Sequence, residues 1–200
     1  MDTYKVKWTR LQASIFRLLC IKAGQEFNLR EIAKLLSVSP TAISKALPIL
    51  EKEELIDIKK SKTMNLVLVS FNRGSEKAIG LKRVENLKTI YESGIINFLE
   101  NEFPGSTIIL FGSYSRGDDA SPENLEAGKS DIDIAIIGSK DKRIDLEKFE
   151  KKLEKEININ FYDSFNKIHK HLKDNILNGI LLSGGIELWN CIKNLKNILK

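Results

Sequence analysis

No stretch of the chain approaches the roughly 18 uninterrupted apolar residues that a membrane helix needs. The amino-terminal "LQASIFRLLC" carries Arg17 where a secretory leader would be purely apolar. No membrane association and a cytoplasmic location are therefore expected. Cysteine is almost as scarce. Cys20 and Cys191 each lie in an amphipathic, helix-like stretch without metal-ligand spacing, which reads as two reduced core thiols rather than a disulfide framework or a metal knot. The two histidines, His169 and His171, stand two apart in an expected helix and so point to different sides, which argues against a metal pair. Trp8 and Trp189 lack basic aromatic neighbours and read as core or interface anchors rather than base-stacking platforms.

What is present suits an ordinary globular protein. At 200 residues and 42% hydrophobic, the chain can bury a core of one large domain or two small ones. Its net charge of +5 is unevenly placed. Residues 1–73 hold 13 Lys/Arg against 7 Asp/Glu, whereas the rest hold 19 against 20. That asymmetry suggests a polyanion-binding front segment joined to a nearly neutral body.

The front segment punctuates itself into three helices. "TRLQASIFRLLCIKAG" spaces Leu11, Ile15, Leu18 and Leu19 as one buried helical face, with Gly24 placed to close it. "NLREIAKLLSVS" offers Asn28 as N-cap and Glu31 three residues on, a capping box ahead of Ile32, Leu35 and Leu36. "SPTAISKALPILEKEE" opens with Ser39 as N-cap and Pro40 at the first helical position. Pro48 falls inside this third helix, where proline removes a backbone bond at a cost of about 3 kcal/mol, so the helix is expected to bend or end early. "LIDIKK" and "MNLVLVSF" then read as strands joined by the basic turn "KKSKT".

That order, and "NLREIAKLLSVSPTAISKALPILEKEELI" in particular, resembles the archaeal and bacterial winged-helix DNA-binding domains over residues 8–72. The resemblance implies that the third helix enters a major groove through Thr41, Ser44 and Lys45, with Ile43, Leu47 and Leu50 in the core. It also implies that Lys59, Lys60 and Lys62 at the hairpin tip meet phosphate. A winged helix that binds protein instead is the alternative, since a fold does not fix a function.

Residues 74–103 read as one long linking helix capped by Ser75, with Ile79, Val84, Leu87, Ile90, Tyr91, Ile95, Phe98 and Leu99 at helical spacing. Within it, Lys82 and Arg83 read as a solvated pair. The body opens with "STIILFGSYSRGDD", a buried strand from Thr107 to Phe111 broken by Gly112 and Ser113 at the start of a helical turn. Such a turn leaves backbone N–H groups available to phosphate oxygens. After a 17-residue spacer that looks like a polar loop insertion, "SDIDIAIIG" forms a second strand. Its period of two puts Asp131 and Asp133 on one face and Ile132, Ile134 and Ile136 on the other. Two carboxylates side by side repel unless a cation lies between them, and Mg²⁺ is suited to that place because it also takes substrate phosphate.

"LFGSYSRGD" followed by "SDIDIAII" resembles the minimal nucleotidyltransferases of the polymerase-β superfamily over residues 106–183, including "NGILLSGG" near the end. A winged helix ahead of such a domain also resembles an archaeal arrangement. The resemblance implies that Gly112 and Ser113, with Arg116 and Ser130 beside them, hold the phosphates of an NTP. It further implies that Asp131 and Asp133 are the catalytic ligands of Mg²⁺ or Mn²⁺. Active relatives carry a third carboxylate on a later strand; here "EININFYDSF" presents Asn158 and Asn160 at the inward positions, with Asp163 and Glu156 at its ends. Asparagine brings no charge and cannot act as a base. "RIDLEKFEKKLEKE", burying Ile144, Leu146, Phe149 and Leu153, and "SFNKIHKHLKDNILNG" read as further helices.

The expected fold class is α/β (α+β): a winged helix over residues 1–72, a linking helix over 73–103, and a nucleotidyltransferase fold over 104–200 with a small mixed sheet flanked by helices. Three functions fit. One is Mg²⁺-dependent transfer of a nucleoside monophosphate from an NTP to an acceptor hydroxyl on a protein, small molecule or nucleic-acid end. Another is a non-enzymatic DNA-binding regulator in which the nucleotidyltransferase fold senses NTP or scaffolds a homodimer. A third is the antidote half of a two-gene toxin system that modifies its partner protein.

Overall fold

The computed structural model describes residues 8–60, 66–119 and 131–186, and these divide into two compact units, the first ending at Asn86 and the second beginning at Leu87. Trp189, Cys191, Lys62 and Ser130 lie outside the described residues, as does most of the spacer before Asp131.

In the first unit, α1 (Arg10–Ile21) begins at a capping box in which the Thr9 hydroxyl accepts from Gln12 N–H and the Gln12 side chain accepts from Thr9 N–H. Gln12 is itself buried, and its Nε2 donates to Ala46 O at 3.3 Å. α2 (Leu29–Leu35) starts at the Asn28–Glu31 capping box, and α3 (Pro40–Lys52) at Ser39 with Pro40 in its first turn. α3 does not end early: it continues through Pro48 to Lys52. Pro48 and Ser44, whose carbonyl loses its donor to the proline, are both exposed, so water can satisfy that oxygen.

β2 (Ile56–Lys60) and β3 (Val67–Phe71) pair antiparallel as the wing, and a short strand not foreseen from the sequence, β1 (Glu26–Asn28), completes the order β1-β3-β2. Three residues are too few to show a period of two. Their core is Ile15, Phe16, Leu19, Ile32, Ile43, Leu47, Leu50, Val69 and Phe71, with Trp8 set edge-on to Phe16 at 5.4 Å. Cys20 is buried there.

The expected linking helix is two helices. α4 (Glu76–Ser93) and α5 (Ile95–Glu102) are separated by Gly94 at φ 82°. Ser75 Oγ accepts from Ala78 N–H at the start of α4. At its end, Ser93 Oγ donates to Ile90 O and accepts from Ile95 N–H, while Lys152 Nζ donates to the Glu92 and Ser93 carbonyls at 2.7 and 3.1 Å. The helix therefore stops with its last carbonyls satisfied. Lys82 is not solvated: it is fully buried and donates to Asn86 Oδ1 at 3.1 Å. Val84 and Tyr91, expected on the apolar face, are 60% and 56% exposed, because they stand roughly 100° around the helix from Ile90.

The second unit is built on a four-stranded sheet of order β6-β5-β4-β7, comprising β4 (Thr107–Phe111), β5 (Ile132–Ile137), β6 (Ile157–Tyr162) and β7 (Ile180–Ser183). β4 pairs antiparallel with β5 and β7, and β5 runs parallel to β6. β7, which follows the last expected helix, was not foreseen as a strand. Ile132, Ile134 and Ile136 enter a core with Ile90, Ile95, Leu99 and Phe149, and Ala135 and Ile137 enter another with Ile168 and Ile176. α6 (Gly112–Arg116) follows β4 directly; α7 (Glu147–Leu153) and α8 (Lys170–Leu177) complete the unit. α7 starts later than expected, leaving Ile144 and Leu146 half-buried ahead of it. No described helix is long and apolar enough to cross a membrane.

Gly94 sits in the left-handed region with open space where a Cβ would project. Gly94→Ala should therefore destabilise the protein by about 1 kcal/mol through backbone strain alone, read from the urea midpoint. No loss would mean that the α4–α5 break tolerates a side chain.

Candidate functional site

β5 is an inner strand, and its amino-terminal mouth carries both acids. Ile132 pairs with Ile157 and Asp133 with Asn158 on one side, while Asp133 lies opposite Phe111 on the other. Both Asp131 and Asp133 are half-buried, whereas their isoleucine neighbours are fully enclosed. The alternation expected from the sequence is present.

The two acids turn to different neighbours. Asp131 Oδ2 accepts from Asn158 Nδ2 at 3.0 Å. Asp133 lies over Gly112, where a Cβ would fall 2.4 Å from Asp133 Oδ2. Gly112 also has φ 77°, so both backbone and contact require glycine there. The structure thus brings Gly112, Asp131, Asp133 and Asn158 together, with half-buried Ser113 next in the α6 turn.

Other expected members stand differently. Arg116 Nε is 3.1 Å from Asp118 Oδ2, so its charge is engaged within its own turn. Asn160 pairs with Ala135 and shares the face of Asp133 and Asn158 one step further along the sheet. Asp163 does not turn inward: it follows the far end of β6 and bonds Lys167, whose hydrogen bond and charge hold its carboxyl below the ordinary carboxylate range. Glu156 is exposed, and its backbone carbonyl accepts from Ile132 N–H. His169 and His171 do not point apart. Their rings stack with centroids 5.5 Å apart because His169 is the extended residue before α8, outside the helical spacing rule.

A residue pair missed in the sequence braces the same end of the sheet. Asp119, beyond α6, and Lys155, before β6, form an ion pair at 3.2 Å with side-chain exposures of 2% and 11%. Spacing alone could not pair two charges 36 positions apart.

The donor set fits one hard divalent cation. Two carboxylates offer oxygen to Mg²⁺ or Mn²⁺, with no soft ligand among the residues brought together there. Among the described residues no group of three His, Cys, Asp or Glu side chains forms a richer cluster.

On the winged helix, Thr41, Ser44 and Lys45 share the exposed side of α3, over buried Ile43, Leu47 and Leu50. Lys60 is exposed at the end of β2. Lys59 is exposed too, but its Nζ lies 2.5 Å from Glu26 Oε1, and that hydrogen bond with the carboxylate charge raises its pKa.

Gly112→Ala should destabilise the protein by about 2 kcal/mol, from left-handed strand-exit backbone and collision with Asp133. Combining it with Asp133→Ala should recover the collision part and leave the strain, measured by urea unfolding. Equal losses in both backgrounds would show that Asp133 does not crowd this glycine.

Residues 93–184 match the family model described as polymerase beta, nucleotidyltransferase. Comparison with curated proteins gives no match. Among solved structures, a variant of ZitR from Lactococcus lactis in complex with DNA is 28% identical, covering 52% of this chain and 68% of that one, at a TM-score of 0.38. ZitR itself, a zinc-responsive MarR family member, is 27% identical, covering 52% and 69%, at 0.37. The adhesin competence repressor AdcR of Streptococcus pyogenes is 22% identical, covering 48% and 69%, at 0.38. The chain has a winged helix followed in sequence by a nucleotidyltransferase-fold domain, the second matched by the polymerase beta family model.

Proposed function

We propose that the second unit binds a nucleoside triphosphate together with one divalent cation, Mg²⁺ or Mn²⁺, and transfers its nucleoside monophosphate slowly to an acceptor hydroxyl, with pyrophosphate leaving and the hydroxyl proton passing to water. The observation that carries this reading is the meeting of Asp131 and Asp133 with the Gly112–Ser113 turn on adjacent strands, within the span of the family match. Gly112 and Ser113 offer backbone to the triphosphate, and the two acids hold the cation. A cation so placed neutralises charge on the phosphate oxygens during transfer. Slowness follows from β6, where Asn158 and Asn160 occupy the face a third acid would need and neither can accept the proton of the attacking hydroxyl.

The full chain incubated with labelled ATP, GTP, CTP or UTP and Mn²⁺ should retain nucleotide, and Asp131→Asn with Asp133→Asn should abolish that retention. Labelling of an acceptor in cell extract should be weak and should rise roughly a hundredfold in Asn160→Asp or Asn158→Asp, the scale of a restored general base. Retention unaffected by the double substitution would overturn the site. Rapid labelling by the unaltered chain would overturn the slowness.

The exposed Thr41, Ser44 and Lys45 on α3 favour a second role, DNA binding by the winged helix. A chain of this kind acts as a regulator, with the nucleotide unit as sensor. Lys45→Ala should lower the salt slope of DNA binding by about one, because one phosphate contact is lost. Lys59→Ala should matter little in the wild type, since Glu26 already engages that ammonium, but should weaken binding several-fold in a Glu26→Gln background. A folded protein with no DNA binding at low salt would point to a protein partner instead.

A further inference from the structure

In the sheet order β6-β5-β4, the two acids of β5 lean to opposite sides: Asp131 bonds Asn158 on β6, while Asp133 lies over Gly112 at the end of β4. Asp131 thus has a donor of its own on β6. Asn158 is well placed for this, since it pairs in register with Asp133, two residues along from Asp131. Its orientation follows from charge. Only the NH₂ end of an amide can face an ionised carboxylate, because the carbonyl end would set acceptor against acceptor. Nearby cations have other work: Lys155 holds Asp119 and Arg116 holds Asp118.

We propose that the Asn158 amide is a built-in stand-in for the divalent cation, holding Asp131 until a cation displaces it, so that this residue weakens metal binding rather than serving it. The inference rests on the reading of Asp131 and Asp133 as the metal pair. A cation that takes Asp131 Oδ2 displaces the amide, and the bond broken is charge-assisted but exposed, of a kind whose loss corresponds to roughly severalfold in an equilibrium constant. Removing the amide removes the competitor. If Asn158 were instead a ligand through its carbonyl, removing it would have the opposite effect.

The test is Mn²⁺ titration of the full chain, followed by calorimetry and by the paramagnetic signal of free Mn²⁺, for the wild type, Asn158→Ala and Asn158→Asp. The expected result is a Kd roughly severalfold lower in Asn158→Ala and lower still in Asn158→Asp. Thermal melting supplies a readout independent of activity and of binding heat. In chelator, Asn158→Asp should melt below the wild type, because Asp131 exchanges its donor for a third like charge, and Mn²⁺ should raise its melting temperature by more than it raises that of the wild type. Measurable binding by the wild type with equal or weaker binding by Asn158→Ala overturns this inference and leaves the metal pair standing. Folded protein with no Mn²⁺ bound by any of the three overturns the metal pair itself, and this inference with it.

Discussion

The second unit depends on the burial of β5 on both faces. Ile132, Ile134 and Ile136 fill one core while Ala135 and Ile137 fill another, so the strand is committed in register along its whole length. A slip of one residue would exchange its faces. Asp131 and Asp133 would then be driven toward Ile90, Leu99 and Phe149, where an unpaired carboxylate costs several kcal/mol. Exposure at the strand mouth and burial beyond it are thus two consequences of one register. The acids are held in place by isoleucines buried on the opposite face of the strand.

That register was legible because it rests on a period of two sustained from Asp131 to Ile136. The caps at Asn28 and Ser39 were legible for a similar reason, being short-range contacts between residues two or three apart. What escaped reading either was too short for a pattern or paired residues far apart. β1 has three residues and β7 four. Lys82 is instructive in another way. Ala78, Lys82, Asn86 and Ile90 recur every four residues as one buried stripe, yet two of the four are polar, so a search for apolar periodicity passed over them. The break at Gly94 was hidden by apolar residues on either side of it, although the glycine itself was visible. His169 and His171 were misjudged because a spacing rule for helices was applied to a residue that precedes one.

Charge on the winged helix shows why composition gives only a direction. The excess of basic residues in the first 73 positions is real, but Lys59 is paired with Glu26 on the opposite edge strand of the same small sheet. An exposed pair of this kind contributes little to stability. Its effect is to neutralise the wing locally, so that the exposed face of α3, which has Lys45 among uncharged Thr41 and Ser44, carries proportionally more of any attraction to a polyanion. Recognition through such a face would depend more on shape and hydrogen bonds than on bulk charge.

The buried pair Asp119–Lys155 belongs to the same economy of placement. Taking two charges out of water offsets most of what they regain from each other, so a buried ion pair stabilises a fold weakly even though removing one partner is costly, about 3–5 kcal/mol. Its value here is therefore geometric. Asp119 follows the α6 turn that carries Ser113, and Lys155 precedes the strand that carries Asn158. A single contact joins the segments that flank Asp131 and Asp133 on both sides. Lys155 also stands 5.7 Å from the ring centroid of Tyr114, which is buried in α6, so the ammonium is fixed from a second direction. An apolar pair of equal volume would supply comparable stability, but it would not specify direction, since dispersion contacts tolerate sliding where a charge-assisted hydrogen bond does not. In a site whose acids are arranged by a 3.0 Å bond on one side and a glycine contact on the other, that directional constraint is what the buried charges provide.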